Sequence, residues 1–118
     1  MLTAAELLAA HCRPLHSPDA MGAGDVRAQL AALPHWHLAD DAISRTFRFA
    51  NYFETVAFVN ALAWMVHRED HHPDLIVGYD RCEVRFSTHS VGGISENDFI
   101  CAAKADAIFD QRCGGATA

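Results

Sequence analysis

Pro73 fixes where the longest helical pattern in this chain has to end. The proline ring pushes the preceding residue out of the α region, so a helix arriving from the N-terminal side must stop near His71. Upstream, Asn51 reads as its N-cap. Phe53, Val56, Ala57, Asn60, Ala61, Trp64 and Met65 then recur at helical spacing, and Phe58 and Leu62 widen the stripe. One long central helix therefore divides the chain, and the flanking segments must fold as shorter pieces.

Those flanks read as strands. Over 42–49, Ile43, Arg45, Phe47 and Phe49 fall on one side and Ser44, Thr46 and Arg48 on the other, with Arg45 out of place in an apolar row. Residues 35–39, centred on Trp36 and Leu38, pair with them across an Asp40-Asp41 turn. After the helix, 75–79 form a third strand. Asp80-Arg81 turns the chain, and Cys82, Val84 and Phe86 alternate with Glu83, Arg85 and Ser87 in a fourth. Gly92-Gly93 ends that strand. Ser95 caps a last helix with Asp98 in capping-box position, and Phe99, Ala102, Ala103 and Ala107 suit its packed face. A first helix spans 25–33, between Gly24 and Pro34.

The order αββαββα predicts an α+β fold, a four-stranded antiparallel sheet with three helices packed on one face. At 118 residues there is room for one domain. It is expected over 25–113, behind a loosely attached N-terminal arm (1–24) and ahead of a frayed tail (114–118) that Gly114-Gly115 releases from the last helix. Within the arm, 2–11 can form a short helix before Pro14, Pro18 and Gly22 interrupt the pattern.

Charge narrows the partners. Nine Lys and Arg face fifteen Asp and Glu, for a net charge of -6. Nucleic acid and anionic membrane surfaces both select for a basic face, so neither is an expected partner. The longest uncharged stretch, 55–66, is well short of the roughly 20 residues a spanning helix needs. The N-terminal residues lack the basic start and apolar run of a secretion signal. Cys12, Cys82, Cys101 and Cys113 are scattered without a CxxC pair. Together these predict a cytoplasmic protein with reduced thiols.

The chemistry-bearing residues cluster in the second half. In Glu69-Asp70-His71-His72-Pro73-Asp74, His71 leaves the helix end and His72 the extended connection, so both rings can line one cavity. The plain alternative is a pair of solvated loop histidines favoured by the helix C-terminus. His89 follows Ser87-Thr88 at a strand end, in phase with Glu83 and Arg85 and so facing away from the apolar row. Gly92-Gly93 just beyond lets the backbone approach a small ligand. The alternative there is an ordinary polar strand end. Asp98 is explained by its cap and is also placed to orient a ring. His67 and His71 share a helical face, but no HExxH motif accompanies them, so no metal site is expected.

These features together resemble the pterin-4a-carbinolamine dehydratase family. The resemblance rests on Trp36, on Ile43 to Phe49 and on Phe58-Val59-Asn60. Above all it rests on His71-His72-Pro73-Asp74 and Ser87-Thr88-His89, with Gly92-Gly93-Ile94-Ser95-Glu96-Asn97-Asp98. It extends from about Leu30 to Ile108. It implies the fold just described, usually dimeric or tetrameric. It also implies dehydration of 4a-hydroxytetrahydrobiopterin to quinonoid dihydropterin without metal or cofactor, in support of tetrahydrobiopterin recycling beside an aromatic amino-acid hydroxylase. His71, His72 and His89 carry over as catalytic residues, and Asp98, Pro73, Thr88 and Trp36 as substrate-binding ones. Where members often have glutamate four residues before the first histidine, this chain has His67. The resemblance leaves a second class open, a non-enzymatic dimerisation or coactivator-type protein-binding module.

Overall fold

The computed structural model describes residues 1–111. Four helices, α1 (Ala4–Ala9), α2 (Ala23–Leu30), α3 (Tyr52–Glu69) and α4 (Glu96–Asp110), accompany strands β1 (His37–Ala39), β2 (Ala42–Arg48), β3 (Asp74–Val77) and β4 (Arg81–Phe86). The strands form one antiparallel sheet in the order β1-β2-β4-β3. The α+β class and the αββαββα order of the main elements follow the reading above. The expected end of the last helix at Gly114-Gly115 lies outside the described residues.

The β2–β4 register sets Ile43 opposite Phe86, Arg45 opposite Val84 and Phe47 opposite Cys82. Period-2 alternation therefore lays Phe86, Val84 and Cys82 beside Ile43 and Phe47 on the helix-facing side, all of them buried. Arg45 sits in that row for a reason the pattern alone does not show. Its guanidinium bonds Asp106 of α4 at 2.5 Å and lies over the Phe47 ring, 4.2 Å from the centroid. The same Asp106 oxygen accepts the Trp36 indole N–H at 2.9 Å. A largely buried cation is tolerable when a carboxylate and ring faces meet it.

Asn51 caps α3 by accepting the Glu54 N–H, and Asp70 closes the helix in a left-handed conformation (φ 54°). The buried stripe is not the expected one. Thr55, Phe58, Leu62 and Val66 face the core, whereas Phe53 is 81% and Trp64 67% exposed. The helix is apolar over most of its circumference, so periodicity does not choose the face. Contact with the sheet does, through Phe58 against Phe47 (centroids 4.6 Å apart).

The N-terminal arm is not loosely attached. Thr3 and Glu6 build a capping box that starts α1, and Leu7 and Leu15 are buried. The Gln29 side chain bonds both the N–H and the C=O of Leu2. Pro18 falls in a short 3-10 helix, Ser17–Asp19, and Gly22 is the N-cap of α2, while Leu7 and Leu15 anchor the segment on the domain.

Candidate functional site

The N-terminus of α4 organises the polar centre. Ser95 caps it, and Asp98 three residues on accepts the Ser95 N–H on Oδ2 at 2.9 Å. The same oxygen accepts the Thr88 hydroxyl at 2.8 Å, and Thr88 Oγ1 lies 2.7 Å from Ser95 Oγ. Asp98 is 0% exposed. Its other oxygen, Oδ1, meets His71 Nε2 at 2.5 Å. A carboxylate that already accepts two donors on Oδ2 takes the ring N–H on Oδ1. That leaves His71 Nδ1 as the neutral ring's free lone pair.

His71 reaches this carboxylate because α3 ends at Asp70. Its backbone N–H still bonds Val66 C=O at 3.2 Å, and its ring lies nearly parallel to Phe86 (11°, centroids 5.9 Å apart). His71 lines a cavity of about 190 Å³ with Glu69, Asp70, Thr88, Ser90 and Asn97, and Cys12, Arg13, Pro14 and Leu15 of the arm complete its wall. Drug-sized ligands usually occupy about 300–1,000 Å³, so this space suits a compact ligand.

Glu69 and Asp70 are the carboxylates that line this cavity, while Asp98 lies buried behind His71. Of the two, Glu69 is held by partners from several sides. Burial pushes its pKa up. The Cys12 N–H (2.8 Å), the His11 ring (3.0 Å) and the Lys104 ammonium (3.8 Å) outweigh that and hold it below the usual carboxylate value. Where the family pattern often has glutamate, His67 stands outside this cavity, and Glu69 two residues on stands inside it.

The other predicted residues are placed differently. His72 and Pro73 border a separate cavity of about 290 Å³ with His67, Leu62, Val66 and Leu75. The expectation of one shared cavity for His71 and His72 is therefore not met. Successive residues of an extended chain point to opposite sides, so the proline that frees His72 also turns it away from His71. His89 begins a 3-10 turn, His89–Val91, and is exposed. The strand phase expected to orient it stops at Phe86. Gly92 closes that turn at φ 71°, a conformation that favours glycine. Trp36 is a core residue, packed on Phe86 (5.8 Å) and bonded to Asp106; it borders neither histidine cavity.

His67 and His71 diverge to different cavities. Among the described residues no three His, Cys, Asp or Glu side chains are grouped to hold a metal ion. No helix among them is long and apolar enough to cross a membrane.

The arm's role was missed from the sequence, although Cys12, Arg13 and Leu15 wall the His71 cavity. Asn97 clamps Arg13 from both sides, its Oδ1 accepting the Arg13 N–H (3.2 Å) and its Nδ2 donating to the Arg13 C=O (2.7 Å). The sequence signals there are His11-Cys12-Arg13-Pro14 and two apolar anchors, Leu7 ahead of Pro14 and Leu15 after it. A larger cavity of about 420 Å³ lies between arm and α2, lined by Met1, Arg13, Asp25 and Gln29 among others, with no histidine.

The family described as Pterin 4 alpha carbinolamine dehydratase matches residues 19–108. A pterin-4-alpha-carbinolamine dehydratase of Xanthomonas campestris pv. campestris (strain B100) is 61% identical over 105 residues, covering 86% of this chain and 89% of the relative. A relative of the same name from Nitrosomonas europaea is 68% identical over 74 residues, 63% of this chain and 66% of its own. Among solved structures, a transcriptional coactivator/pterin dehydratase from Brucella melitensis superposes with a TM-score of 0.71 at 32% identity, over 75% of this chain and 96% of that one. A pterin dehydratase-like RuBisCO assembly factor of the α-carboxysome shares the fold (TM-score 0.54, 23% identity, 65% and 89% covered).

Proposed function

The chain belongs to the pterin 4 alpha carbinolamine dehydratase family, and on that premise we propose that it is a hydro-lyase converting 4a-hydroxytetrahydrobiopterin to quinonoid dihydropterin and water. The observation that carries this reading is the His71–Asp98 pair beside a small cavity. Losing the 4a-hydroxyl requires a proton on a poor leaving group while the N5 lone pair forms the C4a=N5 bond. A ring-nitrogen proton then departs. Both are proton transfers between nitrogen and oxygen, within the range of imidazole near neutral pH.

His71, with its Nε2–H fixed on Asp98, presents Nδ1 as a positioned acceptor. His72 and His89 complete the proposed acid–base set from the exposed loops that follow α3 and β4. Thr88 serves the substrate from the wall of the His71 cavity and Pro73 from the His72 side; buried Asp98 acts through His71, and Trp36 through Phe86, which both it and His71 contact. A positioned acid or base typically contributes about 10²–10⁴-fold, which suits a reaction that already proceeds unaided. No resident cofactor is needed. The setting is tetrahydrobiopterin recycling in the cytoplasm beside an aromatic amino-acid hydroxylase.

The deciding experiment is a time course of 4a-carbinolamine absorbance with and without the purified protein. Acceleration abolished by His71→Ala supports the assignment; decay at the uncatalysed rate overturns it. A second reading, a protein-binding module, is favoured by the exposure of Phe53, Trp64, Ile76 and Tyr79. The same exposure supports a homodimer or homotetramer. Tight partner capture with no effect on carbinolamine decay would select that second reading.

A further inference from the structure

Cys12 and Cys101 lie far apart in sequence, yet their sulfurs are 3.5 Å apart. Neither is used in the proposed dehydration. Cys12 is half-buried on the wall of the His71 cavity, and Cys101 is fully buried one turn into α4 beyond Asn97.

The placement is held from several directions. Glu69 accepts the Cys12 N–H, Asn97 clamps both backbone groups of the adjacent Arg13, and the Cys12 thiol also meets the Asn97 C=O at 3.6 Å. The backbone carrying Cys12 is thus fixed over α4 before any reaction. A disulfide needs the sulfurs at roughly 2.05 Å, so the two must close by about 1.5 Å, within reach of side-chain rotation plus a small shift of the arm.

We propose that Cys12 and Cys101 are an oxidisable dithiol, converted by hydrogen peroxide to a disulfide that staples the N-terminal arm to α4 beside the cavity. The Cys12 sulfur attacks a peroxide oxygen, an S–O bond forms and the O–O bond breaks. The departing hydroxide takes the Cys12 proton and leaves as water. The Cys101 sulfur then displaces the sulfenic hydroxyl of Cys12, which takes the Cys101 proton and leaves as a second water. Two thiols lose two electrons, and the peroxide is reduced to water. Exposure sets the order. The hydrogen bond to Cys12 and burial push the Cys101 thiol up, so it keeps its proton and waits as the resolving group. The bond closes a long loop and therefore stabilises the folded chain.

The test uses the full reduced protein and stoichiometric hydrogen peroxide. Tryptic mass mapping should find Cys12 and Cys101 in one cross-linked species, lighter by two hydrogens and restored by dithiothreitol. Of the four thiols in the chain, two should disappear, and the melting midpoint should rise. Oxygen adducts on Cys12 without a cross-link, a bond to Cys82 or Cys113, a bond between two chains, or unchanged thiols would each overturn the proposal. Cys101 is a core residue whose replacement can unfold the chain, so the half-buried Cys12→Ser provides the second arm. There Cys101 should stay unmodified at the same peroxide dose; its oxidation would overturn the proposed order. Bond formation is read directly, so the result is independent of whether the protein dehydrates a pterin.

Discussion

His71 Nε2 lies 2.5 Å from Asp98 Oδ1, and Asp98 is at once the capping-box residue of α4. One buried carboxylate therefore starts a helix and fixes the tautomer of a cavity-lining imidazole. Asp98→Asn keeps the shape but can offer an N–H where His71 needs an acceptor. The expected outcome is a fall of about 10²-fold or more in the carbinolamine dehydration rate with the far-UV spectrum retained. Ser95→Ala removes only the cap's hydroxyl and should cost about 1 kcal/mol of stability by denaturant titration. If the two variants lost activity equally, the imidazole-orienting role of Asp98 would be wrong.

Much of this was open to reading from the sequence, and the exceptions have physical causes. The capping box at Ser95 and Asp98 and the alternation of Cys82, Val84 and Phe86 are local, and they hold in the structure. The buried face of α3 is not local. With apolar residues around most of the helix, Phe47 decides that Phe58 goes in while Phe53 stays out. The direction of His71 likewise depends on Asp98, a contact across 27 residues. The pairing of Arg45 with Asp106 spans more still, which is why Arg45 looked like a flaw in its strand. The arm's attachment through Glu69 and Asn97 has no sequence periodicity to betray it.

Asp106 serves two donors, the Arg45 guanidinium and the Trp36 indole N–H. Asp106→Ala would strand a largely buried cation and a buried N–H together. Hydrogen bonds to charged groups contribute about 1.5–3 kcal/mol each, and an orphaned buried charge costs more than its pair contributed. The variant should lose roughly 3 kcal/mol, measured by urea unfolding. Trp36→Phe removes one donor and leaves the ion pair, so it should lose less than half as much. Equal losses would mean that ring volume, not the shared carboxylate, holds this corner.

Cys82 is buried between β2 and β3, and burial followed by the nearby Glu83 charge pushes its thiol up to about 11. The unfolded thiol ionises near 8.5. Between those values the unfolded chain has shed a proton that the folded chain retains. Stability must then fall as pH rises through that window. Comparing wild type with Cys82→Ala from pH 8 to 10.5 should show the gap between them shifting in the variant's favour as pH rises. A constant gap would remove Cys82 from the alkaline limb. In the folded protein at pH 8, iodoacetamide should also label Cys82 more slowly than half-buried Cys12.

Glu69 sets the acid limb by the opposite sign. Its folded pKa is depressed, because the Cys12 amide, the His11 ring and the Lys104 ammonium together outweigh burial. The unfolded carboxyl titrates near 4.3. Above that value both states are ionised and the full stabilisation is present. As pH falls below it the unfolded chain takes up a proton first, and the contribution is lost as pH drops through the folded value. Glu69→Gln has no such proton to take up. Denaturant titrations from pH 7 to 3 should therefore show wild type more stable at neutrality and the two curves converging in acid. Because Glu69 anchors the Cys12 backbone, the loss should appear first in the arm. Limited proteolysis near Cys12 should accelerate at pH 3.5 in wild type and already at pH 7 in the variant. Parallel stability curves, or an arm equally protected in both proteins at neutral pH, would show that the arm is held by Leu7 and Leu15 rather than by this carboxylate.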